Sequence, residues 1–281
     1  MTILKVINAR GEIEPFSVKK VYRSAKRAGA SRQLAKEIAG KIKKEAYSGI
    51  KTQKIFTRIK QLLNKQSPKA SLKFNLKEAM RSLGPTGFPF EKYIASIFEQ
   101  LGYQVEINRF LSGKCISDYE TDFIAKKENL IYIGECKYRK FFGDRVHSQD
   151  VLANYARFLD ILNGNYFKTA KYKGALIKSL MVTNTKFSSR SINYAKCVGI
   201  ELLGWNSPKN AGLEHYIDKN KLYPITILPS LKGHLKDVLV EKRIMLAKDL
   251  LRLNIKEFAR KNNISEKSLI TLTAQARILL E

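Results

Sequence analysis

Cysteine is scarce in this chain, and what there is does not pair. Cys115, Cys136 and Cys197 are an odd three among 281 residues, with no CxxC spacing. That argues against both a disulfide framework and a cysteine zinc site. Histidine is as rare: His147, His215 and His234 are scattered, and no HExxH occurs. No GxxxxGK[ST] phosphate loop is present, so ATP-driven translocation is not expected. No apolar run approaches the roughly 20 residues that cross a bilayer. The opening stretch MTILKVINARGEIEPF lacks the basic-then-apolar layout of a signal peptide. The expectation is a cytoplasmic protein with no membrane partner.

Acidic residues are also in short supply. There are 25 Asp and Glu against 52 Lys and Arg, a formal charge of +27. A surplus of that size favours a polyanionic partner, because binding phosphates releases condensed counterions. An anionic membrane surface would call for a basic helix with bulky apolar residues opposite, and no segment stands out that way. Nucleic acid is the expected partner.

Composition separates three regions. Residues 1–84 open with a short strand, ILKVINA, a turn at Arg10–Gly11 and EIEPF. Helical patterns follow in VKKVYRSAKRAG, SRQLAKEIAGKIKKEAYSG and TQKIFTRIKQLLNKQ, with Ser31 as a cap and Gly49 as a stop. The run Leu83-Gly84-Pro85-Thr86-Gly87 reads as a linker. Residues 86–206 mix helix and strand. FEKYIASIFEQLG has helical spacing, and YQVEIN, DYETDFIA and NLIYIGECKY read as strands, the last two joined by a turn at Glu128–Asn129. QDVLANYARFLDILN reads as a helix, GALIKSLMVTN as a buried strand, SSRSINYAKCVG as a helix capped by Ser188 or Ser189, and IELLGW as a final strand. The resulting αβββαβαβ order predicts an α/β (mixed α+β) core, a mixed sheet with helices on its faces. Residues 207–281 read as helical, with LKGHLKDVLVEKRIMLAKDLLRLN as one amphipathic stretch. Two shorter helices around Asn263 follow, the second capped by Ser265, as a helix-turn-helix, a helical hairpin or a helical extension packed on the core.

The residues that carry chemistry are Asp122, Glu135 and Lys137. In DYETDFIA, Asp118, Glu120 and Asp122 alternate and so share a strand face. In IYIGECKY, Glu135 and Lys137 share a face and Cys136 is turned away. Adjacent strands would bring Asp122 beside Glu135. Two carboxylates a few Å apart suit Mg²⁺, which prefers oxygen ligands and keeps several waters. Such a cation polarises a phosphate and acidifies water, and a neighbouring ammonium orients the water or offsets developing charge. The backbone carbonyl of Cys136 offers a further oxygen. A bare D…ExK also describes an exposed strand face with a Glu–Lys pair. Here the ExK ends an otherwise apolar strand, where ionised groups need a reason. Asp118 and Glu120 are alternatives to Asp122. His147 fits a loop residue or phosphate contact better than a general base. Arg139, Lys140 and Arg145 lie just past the ExK, where a DNA backbone would pass.

From Gly87 to about Trp205 the chain resembles the PD-(D/E)xK nuclease superfamily, above all the Mrr-like restriction endonucleases and archaeal Holliday-junction resolvases. The matching run is GFPFEKYIASIFEQLGYQVEINRFLSGKCISDYETDFIAKKENLIYIGECKYR. The resemblance implies that Asp122 and Glu135 are metal ligands and Lys137 the catalytic lysine. Glu91 matches the accessory acid of the first helix, and Gln149 a glutamine that opens the helix after the catalytic strand. The chain departs from the pattern at Thr121, where the motif has proline. The implied activity is Mg²⁺-dependent cleavage of DNA, with a homodimer supplying two sites for duplex cutting. A resolvase acting on branched DNA, or a non-catalytic, nucleotide-sensing DNA-binding regulator, are the rivals.

Residues 1–84 resemble the ATP-cone, a regulatory nucleotide-binding module, through KVINARGEIEPFSVKKVYRSAKRAG. Val6, Ile7, Gly11, Glu14, Pro15, Phe16 and Lys20 match its pattern, while Asn8, Ala9 and Arg10 replace its usual Lys-Arg-Asp. The resemblance implies ATP or dATP as a regulator bound near Val6, Ile7 and Lys20.

Overall fold

The computed structural model describes residues 4–84, 86–141 and 143–281. Ile3 of the expected first strand and Pro85 of the expected linker lie outside them. The chain forms two compact units. One comprises Met1–Ala79, Ile225–Lys236 and Ala247–Glu281, the other Met80–Pro224 and Asp237–Leu246. Along the chain the elements begin with β1 (Lys5–Ile7), β2 (Ile13–Pro15), α1 (Val18–Arg27), α2 (Arg32–Glu45), β3 (Ile50–Lys51), α3 (Thr52–Gln66), α4 (Pro68–Phe74) and α5 (Leu76–Arg81). They continue with α6 (Phe88–Gln100), β4 (Gln104–Leu111), β5 (Tyr119–Lys127), β6 (Leu130–Lys137), β7 (Arg145–Val146), α7 (Ser148–Asn163), β8 (Leu176–Thr183), β9 (Lys186–Phe187), α8 (Ser189–Val198) and β10 (Glu201–Leu203). The last are α9 (Leu213–Lys219), α10 (Gly233–Glu241), α11 (Ile255–Asn262) and α12 (Glu266–Leu280). Among the described residues, no helix is long and apolar enough to cross a membrane.

In the first unit β1 pairs antiparallel with β2 and parallel with β3. The β1–β2 turn is shaped by Asn8, whose Oδ1 accepts from the N–H groups of Arg10 (2.9 Å) and Glu12 (3.1 Å). Ser17 caps α1 and Ser31 caps α2, each accepting an N–H three residues on. Val6, Val21, Ile38, Ile55, Ile59 and Leu63 are central to the core beneath. α11 ends on Asn263 in the left-handed conformation (φ 50°), and Ser265 then caps α12.

The second unit is built on a mixed sheet ordered β10-β8-β6-β5-β4. β4, β5 and β6 run antiparallel in sequence, and β6, β8 and β10 run parallel. An αβ fold of mixed sheets and flanking helices is therefore present. The sheet's two faces are read from β6. Ile131 and Ile133 pack with Ile124 and with Ile161 of α7. Tyr132 faces the other way, where Phe98 of α6 lies 5.3 Å from Phe123 and 6.3 Å from Tyr132, centroid to centroid. A strand covered on both faces has to be almost wholly apolar, and of β6 only its two ends, Leu130 and Lys137, are more than slightly exposed.

Gly134 interrupts this apolar run for a steric reason. It stands opposite Phe123 in the β5–β6 register, and a Cβ there would fall 2.2 Å from the Phe123 ring. Phe123 is fully buried between sheet and α6, so the ring has nowhere to go. Gly134→Ala is expected to destabilise the protein by about 1–3 kcal/mol, the usual cost of overpacking, read as a lower midpoint in urea denaturation.

The expected single amphipathic stretch from Leu231 to Asn254 is corrected. α10 stops at Glu241, Arg243 takes a left-handed conformation (φ 58°), and a bridge pairs Leu246 with Pro224. The chain resumes as a short 3₁₀ turn over Ala247–Arg252. Met245, Leu246 and Ala247 are all fully buried. Three consecutive inward residues are incompatible with one face of a surface helix, so the backbone turns there.

Candidate active site

The ladder between β5 and β6 ends at the Phe123–Gly134 pair. Just beyond it, the backbone N–H of Cys136 donates to Asp122 Oδ2 at 2.6 Å. Asp122 is thereby pinned to β6 at the level of Glu135. Glu135, continuing the Ile131–Ile133 face, is only 6% exposed. Its Oε1 accepts from Lys137 Nζ at 2.5 Å, and its Oε2 accepts from Arg157, which reaches over from α7. Glu135 therefore meets a cation at each oxygen.

Burial, then the Glu135 charge, pushes Asp122 up to about 7, against the opposing pull of the Cys136 N–H and Lys137. Glu91, from the first turn of α6, lies within the same field. Burial raises its carboxyl, and the charges of Glu120 and Glu135 raise it further. The structure thus brings together Asp122, Glu135, Lys137 and Glu91. Cys136 joins through its backbone, while its buried thiol is pushed up by desolvation. Gln149 is exposed in the first turn of α7, and among the described residues no hydrogen bond ties it to this cluster.

The donor set suits a hard divalent cation. Two carboxylates supply oxygens, and the burial and Glu135 charge that lift Asp122 are what such a cation offsets. Among the described residues no cluster of three or more His, Cys, Asp or Glu is set to hold a metal. Asp122 and Glu135 are the residues that could hold such a cation, with water completing its shell.

The segment after the ExK is tied down by the polar end of β8. Thr183 Oγ1 donates to the Lys137 carbonyl at 2.6 Å, Asn184 bonds both the N–H and the carbonyl of Arg139, and Thr185 donates to the Asp144 carbonyl. Arg139 itself is paired with Asp150 at 2.9 Å. It is thus tied at both backbone and side chain, whereas Lys140 and Arg145 are exposed. Sequence reasoning missed Thr183, Asn184, Asn154 and Arg157. Asn154, buried, donates to Ser179 at 2.7 Å, and it shares the inner face of α7 with Val151, Phe158 and Ile161. A polar residue within that apolar stripe was the available signal.

In the first unit, a cavity of about 180 Å³ lies over β1, α1 and α3. Val6, Phe16, Lys20, Ile55, Phe56 and Phe74 help to line it. Ile7 is half-buried outside that lining, and Lys20 is exposed, 3.3 Å from Glu14.

The family model described as AF1548-like, C-terminal, matches residues 223–280. A crystal structure titled as the protein of unknown function AF1548 superposes with a TM-score of 0.57 at 29% identity, covering 68% of this chain and 96% of that one. An uncharacterized protein from Archaeoglobus fulgidus is 30% identical over 186 residues, which are 66% of this chain and 98% of the relative. The chain belongs to the family of that Archaeoglobus fulgidus protein.

Proposed function

We propose that the chain is a Mg²⁺-dependent DNA endonuclease with a restriction-endonuclease-like core. The observation that carries this is the convergence of Asp122 and Glu135 where β5 and β6 part, with Lys137 held 2.5 Å from Glu135. Asp122 and Glu135 are the residues that would hold the cation, joined by the carbonyl of Cys136. When bound, the cation polarises the scissile phosphate and acidifies water. Lys137 places an ammonium at the same point, where it offsets charge developing on phosphorus. Glu91, with its raised proton affinity, is suited to hold or deliver a proton beside them. Lys140 and Arg145 bind the backbone of DNA electrostatically, in keeping with the formal charge of +27. Arg139 positions the loop that carries them. Gln149 lies at the open end of α7 as a substrate contact. A homodimer provides the second site that duplex cutting requires.

The cavity lined by Val6, Phe16 and Lys20 supports a second element of the proposal, that ATP or dATP regulates the enzyme from the first unit. Cleavage of supercoiled plasmid and of a synthetic four-way junction, with Mg²⁺ or EDTA and with or without ATP, tests both elements. Plasmid cutting that needs Mg²⁺ and responds to nucleotide is expected. Cutting of the junction alone would assign a resolvase. Binding without cutting by either substrate would assign a DNA-binding regulator.

A further inference from the structure

Arg157 was not singled out by sequence, yet it occupies one of the two Glu135 oxygens that a cation would take. Its side chain is 25% exposed and its guanidinium holds Glu135 Oε2, while Lys137 holds Oε1. Its other bonds are weaker: to the Glu120 carbonyl at 3.3 Å and to Asn154 Oδ1 at 3.4 Å. A cation taking Oε2 would strip Arg157 of its counter-charge in a largely desolvated setting, which is costly. Nor is there room to retreat inward. The space beside it, lined by Glu135, Asn154 and Ser179, amounts to about 10 Å³, about one water's worth. The freedom left to the guanidinium is outward, towards solvent. A planar guanidinium is well matched to a phosphate.

We propose that Arg157 is a counter-ion switch, neutralising Glu135 in the free protein and passing to a substrate phosphate when Glu135 takes up the cation. The proposal rests on the nuclease reading of the same site. It makes Mg²⁺ and DNA bind cooperatively, and by linkage each tightens the other by the same factor. The free protein would hold Mg²⁺ weakly and avoid a charged, loaded site until DNA arrives.

Two measurements test it on the full chain. The first is calorimetric titration of Mg²⁺ into wild type, Arg157→Gln, Arg157→Lys and Glu135→Gln. Arg157→Gln should bind Mg²⁺ at least about fivefold more tightly than wild type, at the low end of ordinary site-to-site coupling. Arg157→Lys should stay close to wild type, and Glu135→Gln should lose the site. The second is binding of a phosphorothioate duplex to wild type at constant ionic strength, with and without Mg²⁺. Mg²⁺ should tighten it by a similar factor, and this arm stands even if Arg157→Gln does not fold. Unchanged or weaker Mg²⁺ binding in Arg157→Gln would make Arg157 a mere support for Glu135. DNA binding by wild type indifferent to Mg²⁺ would also overturn the switch. If wild type shows no Glu135-dependent Mg²⁺ binding at all, the nuclease reading fails and the switch with it. Glu135-dependent binding that ignores Arg157 would sink the switch alone.

Discussion

Replacing Lys137 by alanine is expected to slow phosphodiester cleavage about 100- to 1,000-fold, the scale of losing one preorganised group aimed at developing charge. DNA affinity should barely change, because Lys137 is a single cation in a chain with 52 Lys and Arg. The loss should therefore fall on the rate constant of a single turnover at saturating protein, with the half-saturating DNA concentration nearly constant. Mg²⁺ binding should persist as well, since the substitution frees Glu135 Oε1, which now accepts from Lys137. A variant that lost affinity for DNA or Mg²⁺ but cut at the normal rate when saturated would make Lys137 a binding residue rather than a catalytic one.

Asp122→Asn should abolish cutting and yet stabilise the fold. In the folded protein, burial and Glu135 raise the Asp122 carboxyl from an ordinary 3.8 to about 7. The folded state then binds more protons than the unfolded state throughout that window, so stability must fall as pH rises through it. The penalty is absent below the unfolded value and complete above about 7. At 1.36 kcal/mol per unit it reaches roughly 2–4 kcal/mol at neutral pH. Asparagine carries no charge to desolvate, and its carbonyl can still accept from the Cys136 N–H. The variant should melt several degrees higher than wild type at pH 7.5, with the difference shrinking towards pH 4. Mg²⁺ should raise the melting temperature of wild type more than that of the variant, because binding to the folded state alone adds stability. A variant that melts lower than wild type at neutral pH would mean that the Asp122 charge is not strained in the fold.

The sequence showed these residues because each signal was local. Alternation along DYETDFIA puts the carboxylates on one face, and charges ending the apolar run LIYIG stand out where none is expected. What surrounds them depends on contacts that no window contains. Arg157 meets Glu135 across 22 residues, Asn154 meets Ser179 across 25, and Thr183 meets the Lys137 carbonyl across 46. In sequence Thr183, Asn184 and Thr185 are only the tail of an apolar strand. In the fold they are buried donors and acceptors that fix the segment beyond the ExK. The stretch around Arg243 failed for a different reason. Its apolar residues keep a helical rhythm on both sides of the break, and periodicity carries no record of a positive φ.

The carboxylate pair of Asp122 and Glu135 is proposed to support Mg²⁺-dependent hydrolysis of DNA. This is tested most directly by nicking and linearisation of supercoiled plasmid in Mg²⁺, comparing wild type with Asp122→Asn after both are shown to be folded by their melting curves. Cutting by wild type that EDTA abolishes is expected, and none by a variant at least as stable as wild type. Equal cutting by the two proteins, or none by either in the presence of Mg²⁺, would contradict it.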